Sequence, residues 1–377
     1  MTIWGPPELS PGETPAGSEL LAEEYAAFER FYPDIQLHYE PRAMSGPASL
    51  LNYLRSASSV APSILPDLVI IPPSLLEEAA QTGLLFPLDG VIPEGLRTDL
   101  YPFATRDTQV AGNWLALPLA LKVEHGATRT GQQNQVPQTL DRLLRPNAPT
   151  WLFAGQAGEN GEMTNVLLLQ LLAISEQMPA PGSLPEQEEL VALLATLQAA
   201  QQEGVIPRQN LLISDETLLF NRLISGQAGF IETSSRTYLM QQRDMPDLTF
   251  TPIPTLNGTM PTVVDGYLIA LATNDPRQQQ AAARYLEWFF DPARLAAWSG
   301  ASAWLPARRS TLEEIIDDEE YGDFLDALLE QGWLRQGGAT WSSFAQAMQE
   351  QFRAVMTEAT SPVEAVDAII ETYGATP

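Results

Sequence analysis

Apolar positions along the first part of the chain switch repeatedly between a two-residue and a 3.6-residue period. Thr2-Ile3-Trp4-Gly5 reads as a short strand. Ser18 is expected to cap a helix with Leu21, Tyr25, Phe28 and Tyr32 on one face, and Pro33 stops it. Ile35-Gln36-Leu37-His38-Tyr39 alternates as a strand. Pro47 is expected to open a second helix carrying Leu50, Leu51 and Leu54. Pro66-Asp67 then leads into Leu68-Val69-Ile70-Ile71, a continuous apolar run of the kind buried on both faces. Ser74-Leu75-Leu76-Glu77 has the spacing of a capping box, and Gly83 closes the helix behind it. This order predicts a parallel sheet with helices on both faces. Ligands of such sheets sit beyond the carboxyl ends of the strands. Here those ends are Trp4-Gly5 and Pro72-Pro73-Ser74.

The pattern changes near residues 109–121. Gln109 to Asn113 is turn-like and Trp114 to Pro118 strand-like, so the chain is expected to cross between two lobes here. A polar stretch follows over 126–150, with a short helix near Thr139 to Leu144. Trp151-Leu152-Phe153-Ala154 reads as a buried strand, and long helices are expected near 163–177 and 186–203. Asp215 to Ser225 is a helix ended by Gly226, and Ala228 to Ile231 is a strand running into Glu232-Thr233-Ser234-Ser235. Leu248 to Ile253 is another strand. A second crossing is expected near Thr262, before a strand from Gly266 to Leu271. Asp275-Pro276 starts a helix with Asp275 as cap. After Leu305-Pro306 the chain reads as helical, with capping boxes at Ser310–Glu313 and Ser361–Glu364. Trp288 and Trp298 fit apolar helix faces and are expected in the core.

Composition narrows the function classes. A chain of 377 residues exceeds one ordinary core and predicts at least two packed units. A net charge of −27 opposes binding to nucleic acid or to an anionic membrane surface, both of which need clustered cations. Of the 20 basic residues only Lys122 is a lysine. The chain has no cysteine, so disulfides, zinc–thiolate sites and thiol nucleophiles are excluded. Only His38 and His125 could serve a histidine-based triad or metal centre, and His38 is read as a mid-strand structural residue. No G-x-S-x-G, phosphate-binding loop or H-E-x-x-H motif occurs. The Asp317-Asp318-Glu319-Glu320 run lacks the alternating ligands and central glycine of a calcium loop and reads as a solvated helix end. Met1 is followed almost at once by the first strand, without a basic and apolar leader, and no segment has the length of a membrane span. No metal, cofactor or catalytic residue is expected.

Several short motifs stand in a telling order and spacing: Ile3-Trp4-Gly5, Phe28 to Ile35, Pro66-Asp67-Leu68-Val69, Gly83 to Asp89, Leu100 to Phe103, Gly112 to Pro118, Phe220 with Ser225 to Ile231, Ala282 to Phe290 and Trp304 to Arg308. Together they resemble the extracellular solute-binding proteins of bacterial ABC importers, in the sugar-binding group that includes maltose-binding protein. The resemblance spans nearly the whole chain. It implies an α/β, two-lobe fold of the periplasmic-binding-protein type (type II), with a hinge and a central ligand cleft. Lobe one would be 1–108 plus 262–306, and lobe two 109–261 plus 307–377 with the C-terminal helices. It implies a monomeric receptor outside the cytoplasm, its signal peptide absent from this sequence. That receptor would carry a small solute, expected to be a sugar, to the permease subunits of an importer. A carbohydrate-active enzyme with a carboxylate pair in a similar cleft is the alternative, and a receptor or adhesion surface the third reading.

The chain departs from this family over Val123 to Thr130, where an aromatic strand and an Asn-bearing turn would be usual, and keeps only Pro137 and Thr139 of the loop beyond. That wall is expected to be rebuilt, so no ligand identity carries over. Sugar sites need aromatic surface for the C–H faces of the ring and planar polar groups for the hydroxyls. Strand ends supply Trp4, Pro73 and Ser74 as candidates. Lys122 stands where the family places a ligand-facing polar residue, with Glu124 beyond it. Gln156 and Asn160 lie in the loop after a buried strand. Glu232, Ser234, Ser235 and Arg236 resemble a family cleft loop, where Arg236 would offer a rigid donor fork. Asp265 and Tyr267 flank the returning strand, Trp304 precedes the last helices, and Trp341 opens the long C-terminal helix at a place where the family often has an aromatic facing the ligand.

Overall fold

The computed structural model describes residues 1–12, 16–61, 64–158, 162–175 and 177–374. Its strands are β1 (Thr2–Gly5), β2 (His38–Pro41), β3 (Leu68–Ile71), β4 (Gln109–Val110), β5 (Asn113–Trp114), β6 (Ala116–Arg129), β7 (Trp151–Leu152), β8 (Phe230–Ser234), β9 (Leu248–Thr251), β10 (Val263–Leu271) and β11 (Trp333–Leu334). The chain forms two compact units. Unit 1 is Met1–Lys122 with Val264–Gly337, and unit 2 is Val123–Val263 with Gly338–Pro377.

In unit 1 the strand order is β2-β1-β3-β10. β1 runs parallel to β2, pairing Thr2 with His38, and parallel to β3, pairing Trp4 with Val69. The expected parallel sheet is present, and β10 adds to it antiparallel, with Ile269 opposite Ile70. Every residue of β3 is buried, as its apolar run requires. The helix Ser18–Phe31 turns Leu21 and Phe28 inward. Phe28 lies edge-on to Tyr285 at 5.6 Å, in the helix Pro276–Phe289, and Phe289 meets Trp298 at 5.4 Å. Asp275 caps that helix by accepting from the Arg277 N–H, as expected.

Unit 2 carries β7, β8, β9 and the second half of β6. The second half of β6 pairs antiparallel with β8 on one side and with β9 on the other, and β7 pairs parallel with β8. The helix Asn165–Ser175 is buried from Val166 to Ala173, so it is apolar nearly all round. Its one polar interruption, Gln170, donates to the Pro254 carbonyl at 2.7 Å. The helices Ala339–Met356 and Pro362–Tyr373 pack on each other and on the helix Gln187–Gln202.

Several local expectations shift. The chain passes out of unit 1 after Lys122, not near 108, because β6 is one continuous strand that starts at Ala116. The helices Arg309–Ile315 and Glu319–Gln331 fall in unit 1, since the first packs on the helix Pro292–Ser302 and the second on the short helix Phe103–Arg106. Gly17, at φ 84°, precedes the first helix, and Ser18 is a buried helical residue without a capping bond. The second helix starts at Leu50 with Ser49 as its cap, two residues past Pro47. The strand expected from Ile35 begins at His38, because a turn bonds the Ile35 N–H to the Tyr32 carbonyl. His38 is therefore an exposed strand end, not a mid-strand residue. No capping box forms at Ser74: Pro73 starts a one-turn 3-10 helix, and no side chain caps the helix Leu76–Gln81. None forms at Ser310 either, whose hydroxyl donates to Asp99 at 2.5 Å. Ser361 and Glu364 do form the expected box. Trp298 is buried, whereas Trp288 is half-buried, donating to Glu24 at 3.0 Å beneath the Arg294 guanidinium.

Candidate functional site

Unit 1 presents its candidate residues beyond the carboxyl end of β3. The last β3–β10 pair is Ile71 opposite Leu268. Because β10 runs the other way, its earlier residues Asp265 and Tyr267 lie past that end. Asp265 accepts from the Arg335 guanidinium at 3.1 Å and from the Gly266 N–H at 2.8 Å. Burial opposes the charge on Asp265, but the Arg335 and Lys122 cations hold its carboxyl below the usual carboxylate range. The Arg335 side chain is only 10% exposed and that of Asp265 22%. Tyr267 donates to Glu8 at 2.5 Å, and its ring meets Trp304 edge-on at 5.7 Å. Gly337 lies so close to the Ser74 backbone that any Cβ there would collide with the Ser74 carbonyl. Asp265 is thus linked to Arg335 and Lys122, Tyr267 to Trp304 and Glu8, and the Ser74 backbone to Gly337. A cavity of about 440 Å³ opens in the same unit, lined by Pro73, Glu77, Arg106, Asp107, Arg335 and Gln336.

Trp4 belongs to a separate cluster in unit 1. It is 1% exposed, with the Arg42 guanidinium 4.6 Å above its ring and Tyr53 edge-on at 6.4 Å. Arg42 itself is tied to Glu40 and to the Pro41 carbonyl. The cluster buries the ring that sequence reading offered to a ligand.

In unit 2 the β6–β8 register places Glu124 opposite Ser234 and Gly126 opposite Glu232. Side chains alternate along a strand, so Glu124, Glu232 and Ser234 share one sheet face, and His125 and Thr233 the other. Glu124 and Glu232 are both buried, and Glu232 accepts from the Ala154 N–H at 3.2 Å. Ser234 caps the helix Ser235–Gln242, and both its N–H and its hydroxyl donate to Glu216 at 3.2 Å. The Ser235 hydroxyl accepts from the Val123 N–H at 3.1 Å. These two hydroxyls therefore hold the strand-to-helix turn, and Arg236, half-buried in the first turn, is the longer reach of the segment. His125 is buried, bonded through Nδ1 to the Gly126 carbonyl at 2.8 Å, with Tyr238 edge-on at 5.2 Å. Burial pulls its imidazole down from the usual 6.5 to about 4, so it is neutral. Gln156 is exposed, its loop fixed by a bond from its N–H to the Ile213 carbonyl. Asn160 lies outside the described residues. Trp341 is nearly buried in the first turn of its helix, 5.6 Å from Phe344.

Sequence reading missed Arg335, Glu216 and Glu8. Arg335 follows a two-residue strand too short to show a period, and the Gly337-Gly338 pair behind it was its one signal. Glu216 sits one residue after a helix cap, where an acid is ordinary. Among the described residues no cluster of His, Asp and Glu could hold a metal, and no helix is long and apolar enough to cross a membrane.

A family model described as bacterial extracellular solute-binding protein matches residues 50–323. No curated protein matches the chain. Among solved structures, the chain resembles the cyclic alpha-maltosyl-1,6-maltose binding protein from Arthrobacter globiformis, with a TM-score of 0.78 and 18% identity over 99% of this chain and 97% of that one. It also resembles maltose-bound MalE3 of T. maritima, with a TM-score of 0.73 and 15% identity over 98% of both chains. The sugar-binding protein MalE from Xanthomonas citri gives a TM-score of 0.73 and 18% identity over 99% of this chain and 95% of that one. At such identities the likeness establishes the fold from end to end. The family match covers well over half of the sequence, and the chain belongs to the bacterial extracellular solute-binding proteins.

Proposed function

We propose that the chain is a monomeric receptor, working outside the cytoplasm, that binds a small carbohydrate and passes it unchanged to the permease subunits of an ABC importer. The observation that carries this reading is the start of β10 in unit 1, where Asp265, paired with Arg335 and held charged by Lys122, is followed two residues on by Tyr267, whose ring meets Trp304. Such a region combines ring surface for sugar C–H faces with charged donors and acceptors for hydroxyls. The proteins it resembles in structure include binders of maltose and of a cyclic maltosyl-maltose. In this reading the candidates of unit 1 are Ser74, Lys122, Asp265, Tyr267 and Trp304, and those of unit 2, taken by itself, are Glu124, Glu232, Arg236 and Trp341.

A thermal-shift screen of neutral sugars, amino acids, polyamines and phosphate esters tests it, followed by calorimetry and recovery of the ligand. A sugar should raise the melting temperature and be recovered intact. Tyr267→Ala and Arg236→Ala should each weaken its binding by about tenfold, roughly the loss of one good contact. Silence across the sugars would overturn the reading, and turnover of the sugar would instead favour an enzyme using the buried Glu124 and Glu232 pair. An unchanged dissociation constant in Arg236→Ala would remove that segment from the site.

A further inference from the structure

Ser234 ends β8 and caps the helix Ser235–Gln242, its hydroxyl accepting from the Thr237 N–H at 3.3 Å. A capping box has a second half, in which an acid three residues after the cap accepts from the cap's own N–H. Ser361 and Glu364 supply both halves within one helix. Three residues after Ser234 stands Thr237, which carries no carboxylate. The Ser234 N–H nevertheless donates to one, Glu216 Oε2 at 3.2 Å, and Glu216 comes from the first turn of a different helix, Glu216–Ile224. Asp215 caps that helix by accepting from the Thr217 N–H, so the Glu216 side chain is not needed there.

The hydrogen-bond count of the cap agrees. A serine hydroxyl has one hydrogen and two lone pairs. The Ser234 hydrogen goes to Glu216 at 3.2 Å, and both lone pairs are then left for Thr237, one for its N–H and one for its hydroxyl at 2.9 Å. Thr233 shares its hydroxyl hydrogen between the same Glu216 oxygen and the Ser234 carbonyl, both at 3.3 Å. Thr233 and Ser234 are buried, so their donors depend on acceptors from the protein.

We propose that Glu216 completes in trans the capping box of the helix Ser235–Gln242, and so is the positioning residue for Arg236, which leaves the chain in the first turn of that helix. The box stands on these contacts, whereas the meeting of Arg236 with a sugar rests on the reading above.

Amide hydrogen exchange on the full chain, without sugar, tests the box. In Glu216→Ala the Ser234 amide should exchange at least about tenfold faster, as expected for losing a charged hydrogen bond. The amides of Leu168 and Leu193, buried in long helices of the same unit, should keep their protection. Glu216→Gln keeps an acceptor, should speed the Ser234 amide by a smaller factor, and serves if Glu216→Ala does not fold. Adding Thr237→Glu to Glu216→Ala puts the acid back at the usual place and should restore the protection. An unchanged Ser234 amide in both single variants would overturn the proposal. So would an equal rise at Ser234, Leu168 and Leu193, which would mean a loss of overall stability. Calorimetry with maltose as the probe tests the positioning. Glu216→Ala should weaken binding about threefold in the parent and not at all in an Arg236→Ala background, since the two changes act through one side chain. An equal loss in both backgrounds would refute the link to Arg236. A parent that binds no sugar would strike the reading above and the positioning role with it, while the exchange result still decides the box.

Discussion

His125 carries a stability cost that depends on pH. Its native imidazole is neutral down to about 4, while in the unfolded chain it protonates near 6.5. Between those values the unfolded state binds the extra proton, so stability falls as pH falls through the window. At about 1.4 kcal/mol per pH unit, the loss from this residue reaches roughly 3 kcal/mol by pH 4. His125→Asn keeps a donor toward Gly126 and cannot protonate. Its melting temperature should therefore decline less steeply than that of the parent between pH 6.5 and 4, and parallel curves would contradict a neutral buried imidazole. Gly266 makes a second residue-scale prediction. Gly266→Ala places a Cβ against the Ala120 carbonyl at an unfavourable φ and should cost about 3 kcal/mol in denaturant unfolding. Gly300→Ala, in the helix Pro292–Ser302 with open space around its Cβ, should be neutral or stabilise by up to about 1 kcal/mol. At this scale sequence legibility was uneven. Asp265, Tyr267, Trp304 and Lys122 could be named as candidates because strand ends and the family pattern mark them, and as ligand contacts they stay proposals. The burial of Trp4 was not legible, because Arg42 and Tyr53, which cover it, are distant in sequence.

Single elements separate true caps from lookalikes. Ser361 meets both bonds of a capping box, and its helix starts with Pro362 at the first position. The bonds from Ser361 and Thr360 hold the Glu364 carboxyl below its usual range. Ser361→Ala should lower stability by about 1 kcal/mol. Ser74→Ala should change it by less than about 0.5 kcal/mol, since no helix N–H depends on that hydroxyl. Paired chemical-denaturation curves distinguish the two, and equal losses would show that Ser74 does cap its helix. The same contrast explains which elements could be read beforehand. The long helices Asn165–Ser175, Gln187–Gln202 and Glu216–Ile224 lie within a few residues of their expected bounds, because a long apolar run in the first and caps or glycine stops at the ends of the others outweigh local alternatives. Short elements shifted where a proline turn or a distant partner decided the start, as at Pro73 and at Asp99–Ser310. Of β6 only the start was read as strand, within Trp114 to Pro118, because the residues beyond it depart from the family pattern and run into a polar stretch, whereas the strand continues, largely buried, to Arg129.

For the molecule as a whole, charge is the dominant feature. A net charge of −27 repels itself in the folded state, and most of the ion pairs between Arg and the acids lie at or near the surface. Exposed pairs contribute little, so salt should screen repulsion more than it weakens attraction. Raising salt from about 10 mM to about 500 mM should lift the melting temperature by a few degrees. A fall by scanning calorimetry would mean that paired charges outweigh the excess. The two-unit α/β architecture was legible from the order of strands and helices. The assignment of the helices at 309–331 was not, since packing against 103–106 and 292–302 is a long-range choice that no local pattern encodes.

Lys122 has one further consequence, for chemistry performed on the protein. With a single lysine in the chain, an acylating reagent directed at ε-amines has one side-chain target, and that target stands where the first chain crossing leaves unit 1. Once the α-amine is blocked, tagging would install one reporter per molecule without any mutation, and the speed of its attachment would register whatever shields the ε-amine.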